Sequence, residues 1–369
     1  MEKRAWKNFD LLLFIVTILI TGMGVALIYS ATISVEGDVP LLERSYYSQL
    51  ILGISGLLLL VLVAAVDYRL LGHVHWFIYA LAIGVLVLVR VIGQSEFGAR
   101  SWLSTKGAFQ PSELSKVLMV VFLAKYIADQ KENGHQLSWV LFSAALVLPL
   151  VFLIYLQPDL GTALVLVVIW FGMVFVGGIR LQHLGLLGFA AAAASPLVWF
   201  SLQDYMQQRI LVFFQPSQDV SGMSYNTRQA LTSIGSGGLF GKGFLHGTQS
   251  QLYFLRVRHT DFVFSVLCEE LGFVGAVTLL ALFLILLWRI LRAARLARDP
   301  FGQLIATGVA TMIFFQAFVN IAVNLGLLPV TGLTLPLISY GGSSLWTTLL
   351  GLGLVESVIM RHKKLDFGE

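Results

Sequence analysis

Long apolar runs alternate with short polar connections along the chain. Ten runs stand out, near 9–30, 47–66, 72–92, 112–128, 138–156, 160–178, 183–201, 262–288, 302–325 and 338–360. A helix needs about 20 mostly apolar residues to cross the hydrocarbon layer, and most of these runs reach that length. Their apolar residues are continuous rather than alternating, so the pattern predicts spanning helices and not a strand barrel. The expected fold class is an all-α polytopic membrane protein with ten transmembrane helices, forming one integral membrane domain over 1–369. A single connection is long, about 202–261, between the seventh and eighth helices. A connection of that length among short ones calls for structure or function of its own. Apolar pieces such as Ile210–Phe214 alternate there with Gly and Ser turns, which predicts partly helical, membrane-hugging segments.

Composition agrees with a bilayer as solvent. Hydrophobic residues make up 57% of the chain and charged residues 12%. That is half the roughly 25% charge of an average soluble domain. Mean hydropathy is +0.83. The lone Cys268 excludes an intramolecular disulfide framework and a multi-cysteine metal site, and its apolar neighbours predict a small buried hydrophobe. Lys3, Arg4 and Lys7 precede the first run, as in a signal peptide. That run is too long for an ordinary signal segment and nine more follow, so an uncleaved first helix is expected.

Charge placement orients the chain. Ten spans put both termini on one side. Assigning that side to the cytoplasm collects there fourteen of the 24 Lys and Arg residues. Among them are Arg289, Arg292, Arg295 and Arg298, which sit in a short loop where the positive-inside rule applies. The expected topology is N-in and C-in, with the long loop extracellular. Several remaining basic residues then gather at the outer face, within 93–116 and 202–261. They suit a cationic surface for an anionic ligand, although a long loop also tolerates charge without function.

Five polar constellations fall at or near that outer face. In the first, Pro111 suits a helix start, and Glu113 and Lys116 share one face three residues apart. They form either a structural ion pair or a cation for phosphate oriented by Glu113. In the second, Gln157-Pro-Asp-Leu-Gly-Thr162, Asp159 suits a helix cap or a ligand for a divalent cation. In the third, glycines around Lys242 form turns or present N–H groups to a phosphate. Their spacing is not a nucleotide loop. In the fourth, Thr260 is the expected N-cap with Asp261 in the first turn, close to Arg256, Arg258 and His259. Glu269 and Glu270 then lie two turns deeper, as a cavity-lining or paired set. In the fifth, Gly341 and Gly342 break an apolar run ahead of Ser343 and Ser344, either for helix contact or as backbone lining a cavity.

Gly98-Ala-Arg-Ser-Trp102, Gln110-Pro-Ser-Glu113, Gln157-Pro-Asp-Leu-Gly-Thr162, His259-Thr-Asp-Phe262, Glu269-Glu-Leu-Gly272 and Ser339-Tyr-Gly-Gly-Ser-Ser344 occur in order over almost the whole chain. Together they resemble the SEDS family (shape, elongation, division and sporulation). Leu328-Pro-Val-Thr-Gly332 is similar to its elongation branch, RodA. Where the family often carries a Pro-Glu pair, this chain reads Leu255-Arg-Val-Arg258.

The resemblance implies ten spans and a peptidoglycan glycosyltransferase that polymerises lipid II at the outer face of the bacterial cytoplasmic membrane during elongation. It implies a class B penicillin-binding protein (a transpeptidase) as partner, and Asp261 as the catalytic aspartate. Arg100, Glu113, Lys116, Asp159, Arg209, Lys242, Arg258, His259 and Ser343 are the expected substrate-binding set. Asp159 and Asp261 are the residues that would hold a divalent cation, Mg or Mn. No nucleotide, haem or nucleic acid is expected. A neighbouring helix dipole and arginines should depress the Asp261 pKa, which would make it a weak base. A lipid-precursor flippase and a non-catalytic scaffold are the competing readings. One-sided polar motifs and the absence of an internal repeat weigh against transport.

Overall fold

The computed structural model describes residues 6–33, 40–96, 99–102, 110–130, 137–215, 223–252, 254 and 259–362. A helix covers each of the ten apolar runs. In chain order these are α1 (Leu11–Thr32), α2 (Ser45–Ala65), α4 (His75–Ile92), α5 (Pro111–Asp129), α6 (Leu137–Tyr155), α7 (Leu160–Val176), α8 (Leu181–Ser201), α12 (Val263–Leu296), α13 (Pro300–Asn324) and α14 (Gly342–Met360). The short helix α3 (Tyr68–His73) links α2 to α4. Six of these, α1, α2, α6, α12, α13 and α14, are long and apolar enough to cross a membrane, and α4 and α7 are shorter apolar helices. The long connection contains α9 (Asp204–Phe214), α10 (Met223–Ser236) and α11 (Thr248–Gln251).

Burial separates the helices into a centre and a rim. In α13 and α14, 72% and 89% of the most apolar stretch is buried, against 28% in α2. Large side chains such as Leu58, Phe77 and Leu284 stand exposed on the rim. In water such a surface would be a liability; in lipid it is the expected outer face.

The structure corrects the purely helical expectation in one place. After α4, the strands β1 (Gln94–Glu96) and β2 (Ala99–Trp102) pair antiparallel. This stretch is too polar to extend a spanning helix, so its backbone groups satisfy each other in a small ladder.

A second correction concerns α12. The run 262–288 is not one continuous helix: Gly272 interrupts it with φ 66° and ψ −162°. Glu269 and Glu270 therefore precede the break instead of lying within an uninterrupted span. The carbonyls freed there are taken by the glycine-rich turn after α10. Lys242 N–H donates to Glu269 O at 2.9 Å, and Gly243 N–H donates to Glu270 O at 3.0 Å. In return, Phe273 and Val274 N–H donate to Gly238 and Leu239 carbonyls. Backbone meets backbone so closely that a Cβ on Gly241 would lie 2.1 Å from Glu270 O. This explains the glycines, and the N–H groups of Lys242 and Gly243 serve the break instead of a phosphate.

Hydrogen bonds and ion pairs place the chain's polar groups at two ends of the bundle. At one end Asp10 pairs with Arg289, Asp299 with Arg69, and Asp67 with Arg361. The opposite end gathers the starts of α5, α7, α12 and α14 with the end of α13.

Candidate functional site

Asp261 lies at that second end, linked through its carbonyl to the end of α13. It lies just before α12, in a turn formed by residues 259–262. The observed N-cap is Phe262, not Thr260, so Asp261 is outside the first helical turn and gains little from the helix dipole. The cap's work is done from another helix: Asn324 Oδ1 accepts from Ser265 N–H at 3.1 Å and from Ser265 Oγ at 2.6 Å.

Neighbouring elements fix the backbone around Asp261. Its carbonyl accepts from Asn320 Nδ2 at 3.1 Å and from Asn324 Nδ2 at 2.9 Å. Ser339 Oγ donates to Thr260 O at 2.6 Å, and Tyr340 N–H donates to His259 O at 2.8 Å. The His259 and Tyr340 rings meet edge to face at 5.7 Å. Asn320 also donates to Leu333 O at 2.8 Å, tying in the non-helical segment before α14. That segment is buried at Leu333, Leu335, Leu337 and Ile338. Buried irregular backbone needs such side-chain partners, which Asn320, Ser339 and Gln49 supply.

The carboxylate itself accepts no hydrogen bond from any described residue. Burial raises its pKa to about 6, and the positive charge of Arg209 opposes the rise. Desolvation thus outweighs the arginine, reversing the expected depression. The residue keeps partial exposure. Arg209 rises from α9 over the ring of Tyr205 at 5.2 Å. Tyr205 donates its hydroxyl to Pro158 O, which anchors α9 onto the turn before α7. Arg209 and Arg228 line a cleft of about 200 Å³, closed on the other side by Leu328, Pro329 and Val330.

Asp159 joins this end through two neighbours. Its Oδ1 caps α7 by accepting from Thr162 N–H at 2.9 Å. Its Oδ2 accepts from Gln110 Nε2 at 3.2 Å and Ser112 Oγ at 3.4 Å. Gln110 N–H in turn donates to Ser343 Oγ at 2.6 Å. Asp159, Gln110 and Ser343 therefore form one chain across α7, α5 and α14. Gly161 allows the close approach, since a Cβ there would lie 2.8 Å from Thr331 O.

Two expected cations are engaged inside the protein. Lys116 Nζ sits 2.7 Å from Glu113 Oε2, and both side chains are buried. Lys242 Nζ sits 2.8 Å from Glu269 Oε1, which also accepts from Thr248 Oγ1 and Gln249 N–H. Glu270 accepts from the Ser30 hydroxyl of α1. These groups lock the region around the Gly272 break. The side chain of Arg100 and all of Arg256 and Arg258 lie outside the described residues.

The structure thus brings together Asp261, Arg209, His259, Asp159 and Ser343, with Glu113 and Lys116 on the helix that Gln110 begins. Gln49 and Asn320 belong here too, although no sequence motif had drawn them in, and Arg228 joins them from the basic stretch 202–261. Asn320 had a legible signal, since it stands four residues before Asn324, one helical turn away in a mostly apolar helix. Arg228 was legible as one of the basic residues gathered within 202–261.

Among the described residues, no group of three or more His, Cys, Asp or Glu side chains could hold a metal ion. The described residues thus form no cage made of protein alone. The carboxylate of Asp261, to which no described residue donates, does fit a cation that keeps phosphate oxygens and waters as its other ligands. Asp159 is already engaged as a cap.

Known proteins resemble this chain over most of its length. Residues 10–364 match the family described as FtsW/RodA/SpoVE cell cycle proteins. The peptidoglycan glycosyltransferase MrdB of Escherichia coli K12 is 38% identical over 349 residues, covering 92% of each chain. Stage V sporulation protein E of Bacillus subtilis is 37% identical over 370 residues, covering 95% of this chain and 96% of that one. Among solved structures, the Thermus thermophilus rod shape determining protein RodA matches with a TM-score of 0.70 at 37% identity, over 95% of this chain and 96% of that one. A chain from a peptidoglycan synthase complex, described for its coordination of polymerization and crosslinking, matches with a TM-score of 0.80 at 36% identity. It covers 96% of this chain and 98% of that one.

Proposed function

The chain belongs to the FtsW/RodA/SpoVE family of cell cycle proteins, and from that premise we propose that it is a peptidoglycan glycosyltransferase polymerising lipid II into glycan strands. The carrying observation is the Asp261 carboxylate, partly exposed on a turn fixed by Asn320, Asn324 and Ser339, with burial raising its pKa to about 6 against the opposing charge of Arg209. A general base works best with a pKa near the working pH.

In this reading an acceptor sugar hydroxyl attacks the anomeric carbon of the donor. The new glycosidic C–O bond forms as the bond to undecaprenyl pyrophosphate breaks. Asp261 takes the hydroxyl proton and later releases it to solvent. Arg209 and Arg228 offer positive charge to the departing pyrophosphate, within the cleft that they line. In the alternative role Asp261 would instead hold a divalent cation, which would add charge stabilisation to the leaving group. His259 and Ser343 position the turn and the start of α14. The Glu113–Lys116 pair holds the start of α5 in place.

The topology proposed is ten spans, with both termini in the cytoplasm and this end at the extracytoplasmic face. The distribution of arginines and lysines supports it. A class B penicillin-binding protein is the proposed partner. Support comes from the resemblance to a chain of a complex that couples polymerization to crosslinking. Likeness to the RodA structure supports a role in elongation.

The test is polymerisation from purified protein, lipid II and divalent cation, with and without the partner, its transpeptidase blocked by a β-lactam. Glycan strands seen on a gel for wild type and lost in Asp261→Asn are expected. No strands under any condition, from folded protein, would overturn the polymerase reading and turn attention to lipid transport.

A further inference from the structure

The opposite end of the bundle carries a second cleft, of about 320 Å³, lined by Lys7, Asp10, Arg289, Arg292 and His362 with apolar Leu11 and Leu12 beside them. It is built from three elements far apart in sequence: the segment entering α1, the last turns of α12 and the end of α14. We infer that this cleft binds the phosphodiester head group of an anionic phospholipid.

Charge is the first argument. Arg289 is held by Asp10, with Nε 2.8 Å from Oδ2. That pairing fixes the guanidinium and neutralises one charge. Lys7 and Arg292 have no described partner, and both are exposed along the cleft. Two unengaged cations on separate elements therefore converge on one concave space. Glu356 is fully buried, accepts from Asp10 N–H at 3.1 Å and holds Asp10 toward Arg289. The site is thus built, with its central arginine oriented by a carboxylate that is itself fixed.

Surroundings choose the source of the phosphate. Leu11 and Leu12 are 65% and 42% exposed, at the first turn of a spanning helix. Trp6 and Trp288 are 42% and 53% exposed, and Trp288 lies under Arg289 at 5.4 Å. Exposed tryptophans mark the head-group level of a bilayer. A soluble phosphate would need no apolar flank, whereas a lipid places its acyl chains along Leu11 and Leu12. Basic pockets between helices at this level are suited to anionic head groups. The inference is independent of the glycosyltransferase reading.

The experiment is native mass spectrometry of the full-length protein, released from nanodiscs of phosphatidylglycerol and phosphatidylcholine in equal parts. Wild type should retain phosphatidylglycerol selectively. Lys7→Ala with Arg292→Ala should lower its apparent affinity by roughly thirtyfold, about fivefold for each basic residue. The charge-conserving pair Lys7→Arg with Arg292→Lys should keep it. Arg295→Ala and Arg298→Ala, which remove like charges from the last turn of α12 and just after it, outside the cleft, should leave it unchanged. Retention undiminished in the alanine pair would overturn the inference. So would an equal loss in the outside variants, which would mean general surface attraction. Displacement of the lipid by millimolar inorganic phosphate would equally overturn it, in favour of a soluble anion site.

Discussion

The positive charge of Arg209 on α9 acts on Asp261 and partly offsets the desolvation that brings its carboxyl to about 6. A shift upward from 3.8 means that the base form grows in as pH rises through about 6. Polymerisation should therefore fall about tenfold per pH unit below that point and level off above it. Rates measured at fixed saturating lipid II across the acid range check this. A flat profile would remove Asp261 from the proton transfer.

Replacing Arg209 moves the same limb in a known direction. Arg209 lowers the Asp261 pKa, so Arg209→Gln should carry the acid limb to higher pH and reduce the maximal rate as well. A reduced rate with an unmoved limb would assign Arg209 to substrate binding alone.

Asp261→Asn keeps the shape of the side chain and removes its base. Loss of polymerisation by about a hundredfold or more is expected. The unfolding temperature should not fall, since no described residue donates to that carboxylate. Full activity would exclude Asp261 from the chemistry.

Asn324 links two parts of the site through three bonds, to Asp261 O, Ser265 N–H and Ser265 Oγ. Asn324→Ala leaves buried polar groups unmatched, at a cost of about 1–3 kcal/mol. Thermal unfolding in detergent should show the loss, and the rate should fall with it as the turn at 259–262 loosens. An unchanged melting point would mean that the link is dispensable.

The buried pair Glu113 and Lys116 gives a sharper stability test. Removing one partner strands a buried charge, at a cost of about 3–5 kcal/mol, so Lys116→Met should destabilise more than the double variant with Glu113→Gln. Both single variants should also slow polymerisation. Wild-type rates in a folded double variant would make the pair purely structural.

The apolar runs by themselves determined where the helices lie, because continuous hydrophobicity over about 20 residues leaves a backbone few other ways to satisfy its N–H and C=O groups in lipid. The cap at Asp159 and the pairing of Glu113 with Lys116 were legible as well, since both are local and follow from helix spacing. The tertiary structure decided what depends on distant partners. It broke α12 at Gly272, where carbonyls are taken by a turn some thirty residues earlier in the chain. It moved Asp261 out of the first helical turn and raised its pKa, because burial by several elements outweighed one arginine. It also engaged Lys242 with Glu269 and brought Asn320 and Arg228 to the site. Sequence spacing carries the period of a helix, but desolvation and long-range pairing depend on which helices meet.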